Sequence, residues 1–229
     1  MIQTTADHRT ICTELWVALL VDGARALASA GRWTEAAESM AAHRGIGERL
    51  LDGRQLKIMS LVEQDLPQQA ADMIESTVPA EPWEHAVAAI LRIYCRPDTS
   101  TTSQEELDRA VRETLALITQ PEPMTAAFRA RLGLTALDLT ADRPTAQDSD
   151  LRSAVVGVAV SDAYAARDVL GHHAMRSHMT SQQAEELAVV HAASGFGAGS
   201  LPPAHEVALT AAVRQGEDSL RALLGATTS

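Results

Sequence analysis

The stretch Asp22–His43 reads DGARALASAGRWTEAAESMAAH. Alanine dominates on both sides of Gly31, and it loses the least on entering a helix. Gly31 and Arg32 interrupt the run, and glycine is the residue that allows a tight turn between two helices. Two helices approach closely only where small side chains meet, and Ala24 and Ala36 stand at matched places on either side of the turn. Leu27 and Met40 supply large apolar groups to the same seam, and Trp33 is placed to pack over the turn. The segment therefore predicts an antiparallel helical hairpin.

Shifting the frame by 34 residues carries Leu27 to Leu61, Ala36 to Ala70, Ala37 to Ala71 and Met40 to Ile74. LVEQDLPQQAADMI (61–74) thus reads as a degenerate second copy, with Asp65 in place of Gly31 and Pro67 in place of Trp33. A third copy needs a small residue where Gln104 stands, so the register ends there.

The pattern formed by Ala24, Leu27, Gly31, Arg32, Trp33, Glu35, Ala36 and Met40 resembles a tetratricopeptide repeat. It departs from that family at Gly23, where a leucine is usual, and in having no proline near Glu48. The resemblance covers roughly a quarter of the chain. It implies an all-α fold in which antiparallel hairpins stack into an array with a concave surface, closed here by a C-terminal helical bundle. It also implies a role in holding a peptide, a partner protein or a small ligand.

The rest of the chain follows helical spacing. Leu107, Val111, Leu115 and Ile118 form one stripe, preceded by a capping-box signature at Ser103 and Glu106. VVGVAV (155–160) has flanks that continue a helical pattern, and it reads as part of a buried helix rather than a strand. Ten helices are expected, over 10–30, 33–44, 46–64, 67–77, 81–95, 103–119, 123–140, 148–171, 180–194 and 203–225, with breaks at glycine and proline positions. The links 96–103 and 141–150 are the longer and more polar ones. The chain is expected to be a single all-α domain over 1–229, with a possible subdivision into a repeat-like array (1–140) and a C-terminal bundle (148–229).

Composition excludes several functions. With 229 residues, 46% of them hydrophobic, the chain can bury a sizeable core. A net charge of −11 argues against nucleic acid and anionic membrane as partners, since both need a basic surface. No run approaches the length of a membrane span, and MIQTTADHRT lacks the order of a signal peptide, so a cytoplasmic location is expected. Cys12 and Cys95 lie in apolar-rich stretches and read as buried structural thiols, and the five Trp and Tyr residues as core packing.

Candidate sites are few. HRGIGERLLDGRQLK (43–57) gathers Arg44, Arg49, Arg54 and Lys57, the cations best placed to anchor a carboxylate or phosphate of a ligand or partner. Interleaved Glu48 and Asp52 offer ordinary surface pairing instead. His172, His173 and His178 could ligate Zn or Ni, but their spacing does not place them on one helical face and no Cys pair or carboxylate cluster completes the set, so no metal and no cofactor is expected. GFGAGS (195–200) follows a helix and lacks the lysine of a phosphate loop, and HEVAL (205–209) lacks the second histidine of a zinc protease helix. No catalytic residues emerge. The expectation is a non-catalytic protein- or peptide-binding adaptor. The alternatives are a ligand-sensing regulatory module acting beside a separate DNA-binding protein, and an atypical helical enzyme of secondary metabolism. Oligomeric state is left open by the sequence.

Overall fold

A computed structural model describes residues 4–97, 101–122, 125–196 and 198–226. Twelve helices and no strand are found among them: α1 (Thr5–Ser29), α2 (Trp33–Ala42), α3 (Asp52–Glu63), α4 (Pro67–Glu75), α5 (Pro82–Tyr94), α6 (Gln104–Ile118), α7 (Ala126–Leu139), α8 (Asp148–Ala159), α9 (Ala163–Gly171), α10 (His173–Arg176), α11 (Ser181–Ala193) and α12 (Pro203–Ala226). The all-α fold is as expected.

Helices pack in chain order from α1 to α8. From α5 onward alternate helices touch as well, α5 to α7, α7 to α9, α9 to α11 and α6 to α8, so that α5, α7, α9 and α11 form one layer and α6 and α8 another. Short connections between apolar-faced helices dictate this arrangement, because each helix can bury its stripe only against near neighbours.

The hairpin that opened the reading is present. Ala24 and Ala36 are buried together with Met40 and Leu56 in a small core under α1, α2 and α3. Gly31 turns the chain with φ 75°, a left-handed conformation that costs glycine nothing. The turn is repeated 34 residues later, where Asp65 takes φ 58°. The hydrogen bonds repeat as well: Arg32 N–H donates to Leu27 O at 2.9 Å, and Leu66 N–H to Leu61 O at 2.9 Å. Ala70 and Ile74, the counterparts of Ala36 and Met40, are fully buried.

A second, larger core runs from α3 to α11. It includes Leu107, Val111 and Ile118 of the expected stripe, and the Ser103–Glu106 capping box forms as read. The same core continues across the link 141–147, with Leu137 on one side and Leu151 and Val155 on the other. That link is drawn in by Asp148, whose buried carboxylate accepts from Thr140 Oγ1 at 3.0 Å and Thr145 Oγ1 at 2.6 Å. Three residues of the other polar link, 98–100, lie outside the described residues.

Several boundaries differ from the sequence reading. The expected helix 148–171 is two helices, because Asp162 caps a new start by accepting from Ala165 N–H at 2.8 Å. VVGVAV is helical through Ala159, as read. Residues 46–51 are a loop rather than the start of α3. The loop doubles back over that helix so closely that a Cβ on Gly53 would sit 2.1 Å from Gly45 O. The last helix does not help to close the core: its described residues, Pro203–Leu224, are all exposed. Cys95 is buried but Cys12 is exposed, and Trp16, Tyr94 and Tyr164 are exposed rather than core.

Buried polar side chains stitch neighbouring hairpins together. Glu84, fully buried in the first turn of α5, accepts from Leu50 N–H at 2.9 Å and from Arg49 Nε at 3.1 Å. Burial is the largest influence on this carboxyl and pushes its pKa up, but the hydrogen bonds from Arg49, Leu50 and Ala80 together outweigh it and hold the group below the ordinary carboxylate range. Arg129 of α7 is buried and donates to Ile118 O at 2.9 Å and Glu122 O at 2.7 Å, closing off the end of α6.

Candidate functional site

The four cations singled out in the sequence do not converge on one site. The Arg54 side chain is nearly buried and donates to Gly47 O at 2.7 Å, Met73 O at 2.8 Å, Ser76 Oγ at 2.8 Å and Thr77 Oγ1 at 2.9 Å. It joins α3 and the preceding loop to the last turn of α4, where carbonyls left without helical partners and the negative end of the helix dipole favour a cation. Arg49 points to Glu84. Arg44 is exposed just beyond α2, in a left-handed conformation with φ 57°, and Lys57 is half-buried on α3. Two of the four thus serve the fold, Arg54 through its four acceptors and Arg49 through Glu84.

The histidines separate too. His172 Nε2 lies 3.1 Å from Asp138 Oδ1, and His172 Nδ1 is buried with no hydrogen-bond partner. His173 and His178 are exposed. Among the described residues no group of three or more His, Cys, Asp or Glu side chains could hold a metal ion.

A different constellation is assembled where α7 meets α9. Arg131 of α7 donates through Nε to Asp168 Oδ2 of α9 at 2.5 Å, and Arg167 donates through Nε and Nη2 to the other oxygen of the same carboxylate at 3.0 and 2.8 Å. Burial is the largest single influence on Asp168 and raises its pKa, but the two arginines outweigh it and keep the carboxyl below its ordinary range. Together with Thr135, Asp138 and His172 these residues line an open cleft of ≈ 640 Å³. Beyond its lining residues, Arg167 leads to two aromatic rings. The Arg167 guanidinium stands 5.4 Å from the centre of the Tyr164 ring, and Tyr164 in turn packs against Phe196 with ring centres 4.4 Å apart and planes tilted by 50°.

Guanidinium groups carry five N–H donors in a planar fork. Asp168 occupies one donor of Arg131 and two of Arg167, so the cleft keeps donors that can meet a carboxylate arriving from outside. The site lay beyond the sequence reading because Arg131 and Asp168 are 37 residues apart. One signal was present: Arg131, Thr135 and Asp138 fall at i, i+4 and i+7 on a helix whose other residues are apolar apart from Arg129, which marks a polar face.

A second cleft, of ≈ 530 Å³, opens between α4 and α5. Ala71, Ile74, Pro67, Cys95 and Pro97 make its walls apolar, and Arg92 and Arg96 stand at its rim in ion pairs with Glu75 and Glu106. Burial pushes the Cys95 thiol up to about 11, so it is not a thiolate nucleophile at neutral pH.

No helix among the described residues is long and apolar enough to cross a membrane. Comparison with models of protein families, with curated proteins and with solved structures returns no match for this chain.

Proposed function

We propose that this chain is a non-catalytic adaptor that binds a protein or peptide along a tetratricopeptide-like array of helical hairpins. The observation that carries the reading is the cleft between α7 and α9, where Arg131 and Arg167 retain donors and Arg167 leads to the Tyr164–Phe196 pair. Exposed arginine next to exposed aromatic rings is the composition that dominates peptide and protein recognition. An acidic side chain or a terminal carboxylate of the partner would sit on the guanidiniums, and an apolar side chain would lie on the rings. The expected array also supplies Arg44 and Lys57, on the first two hairpins, as further anchors.

The test is capture from native lysate on the immobilised full chain. The parent retains one protein in stoichiometric amount, and an Arg131→Ala/Arg167→Ala variant loses it, whereas Arg44→Ala/Lys57→Ala weakens retention less. No retained protein, or retention indifferent to Arg131 and Arg167, refutes the proposal.

The α4–α5 cleft favours a second reading, a ligand-sensing module that acts beside a separate DNA-binding protein. Its ≈ 530 Å³ and apolar walls suit a small molecule. A single metabolite that raises the unfolding temperature in proportion to its concentration would support this reading, and a flat response across a metabolite panel would remove it.

A further inference from the structure

The helix α12 runs for 24 residues and every described residue from Pro203 to Leu224 is exposed. It nevertheless carries an apolar stripe: Leu209, Val213, Leu220 and Leu223 are 57%, 53%, 61% and 56% exposed. These positions follow 3- and 4-residue steps through Gly216, the spacing of one helical face. Helices in proteins draw most of their stability from packing such a face, so a stripe of this kind needs a cover.

The pattern itself specifies the cover. Leu209 and Leu223 lie seven residues on either side of Gly216, and Val213 and Leu220 lie three and four away. A two-fold axis through Gly216 therefore brings Leu209 onto Leu223 of a second copy, Val213 onto Leu220, and glycine onto glycine where the helices cross. A self-complementary patch is what an isologous dimer requires. Nothing lies within 4 Å of a Cβ built on Gly216, so the space beside it is open for a second backbone to approach. Charge does not oppose the pairing: in a chain of net charge −11, α12 carries Arg214 and Arg221 against Glu206, Glu217 and Asp218. Each large apolar side chain can bury roughly 60–120 Å². With Leu224 included, two copies bury on the order of 600–1,200 Å², which reaches the lower end of specific interfaces.

We propose that α12 is a dimerisation helix that pairs antiparallel with its own copy across Gly216. The pairing is independent of the function proposed above. Sedimentation of the full chain is expected to show a reversible dimer with a dissociation constant on the order of 1–100 µM. Leu220→Glu weakens it at least about tenfold. Because α12 lies outside both cores, parent and variant unfold alike when compared as monomers at high dilution.

Orientation is tested by oxidation in a Cys12→Ser background. Gly216→Cys cross-links to itself. Leu209→Cys does not, but it cross-links when mixed with Leu223→Cys. A chain that stays monomeric at about ten times that concentration range overturns the proposal. So does a dimer unaffected by Leu220→Glu, self-cross-linking of Leu209→Cys, or recruitment to phosphatidylglycerol vesicles in place of dimerisation.

Discussion

Arg54 separates a residue that binds a ligand from one that holds the fold, and its replacement by methionine gives a measurable answer. The side chain is 7% exposed, and its four recorded acceptors are the carbonyls of Gly47 and Met73 and the hydroxyls of Ser76 and Thr77. Methionine keeps most of the stem and removes every donor. Met73 O keeps the Ser76 and Thr77 hydroxyls at 3.2 and 3.0 Å, but Gly47 O loses the guanidinium that serves it. Gly47 is exposed, so water can take the guanidinium's place there and the lost hydrogen bond costs about 0.5–1.5 kcal/mol. Removing the cation from the end of α4 adds about 1–2 kcal/mol. Against this, deleting a buried charge relieves its desolvation, which offsets part of the loss. The expected net destabilisation is about 1–3 kcal/mol for Arg54→Met, an appreciable share of the 5–15 kcal/mol that holds a typical domain together. Arg54→Lys falls between, since one ammonium cannot reach all four acceptors at once. The assay is urea unfolding followed by far-ultraviolet circular dichroism on the parent and both variants. If both variants lie within about 0.5 kcal/mol of the parent, the value expected of an exposed substitution, the clamp does not exist and Arg54 returns to the ligand-binding candidates.

Three further outcomes are expected. Gly133→Ala destabilises by about 1–2 kcal/mol, because the new methyl would meet Val155 Cγ2 at 2.4 Å and Ile118 Cδ1 at 2.7 Å, whereas Gly157→Ala, with nothing within 4 Å, stabilises by up to about 1 kcal/mol; thermal unfolding of the pair reads both signs. Glu106 is held at about 2 by its hydrogen bonds to Arg96 and the Ser103 backbone, against an ordinary 4.5. A lowered folded pKa contributes stability that is complete above 4.5 and lost as pH falls toward 2, so Glu106→Gln lowers stability at neutral pH and flattens the acid limb of a stability–pH curve. Finally, a maleimide at neutral pH labels Cys12 in the folded chain and reaches Cys95 only after unfolding, as one and then two modified thiols by mass.

The features legible in the sequence were those set by local spacing. The Ser103–Glu106 cap, the Leu107–Ile118 stripe and the Gly31 turn each depend on residues within a few positions of one another. The 34-residue shift found the second turn even though Asp65 replaces glycine there, because the buried Leu61, Ala70 and Ile74 kept their places. What failed depended on partners distant in sequence. Asp162 looked like one polar residue on a continuing helix, and its capping role emerges only because α8 ends where α9 must turn to pack on α7. Arg49 and Arg54 looked like surface cations because their acceptors lie 35 and up to 23 residues away.

The last helix marks the boundary of this kind of inference. Hydrophobic periodicity states that a face of the helix avoids water, and it is silent on what covers that face. For α6 the cover is the chain's own core, so reading the stripe as buried was correct. For α12 the same pattern stands exposed from Leu209 to Leu223, so the expectation that the C-terminal helices close the core does not hold for this one. The two cases differ in a sequence-level feature. The α6 stripe carries bulk throughout its length, while that of α12 is interrupted at its middle by Gly216, where a mid-helix glycine costs about 1 kcal/mol relative to alanine. Within a protomer that leaves Gly216 nothing to touch, this cost has no return, and a close crossing with a second helix supplies one.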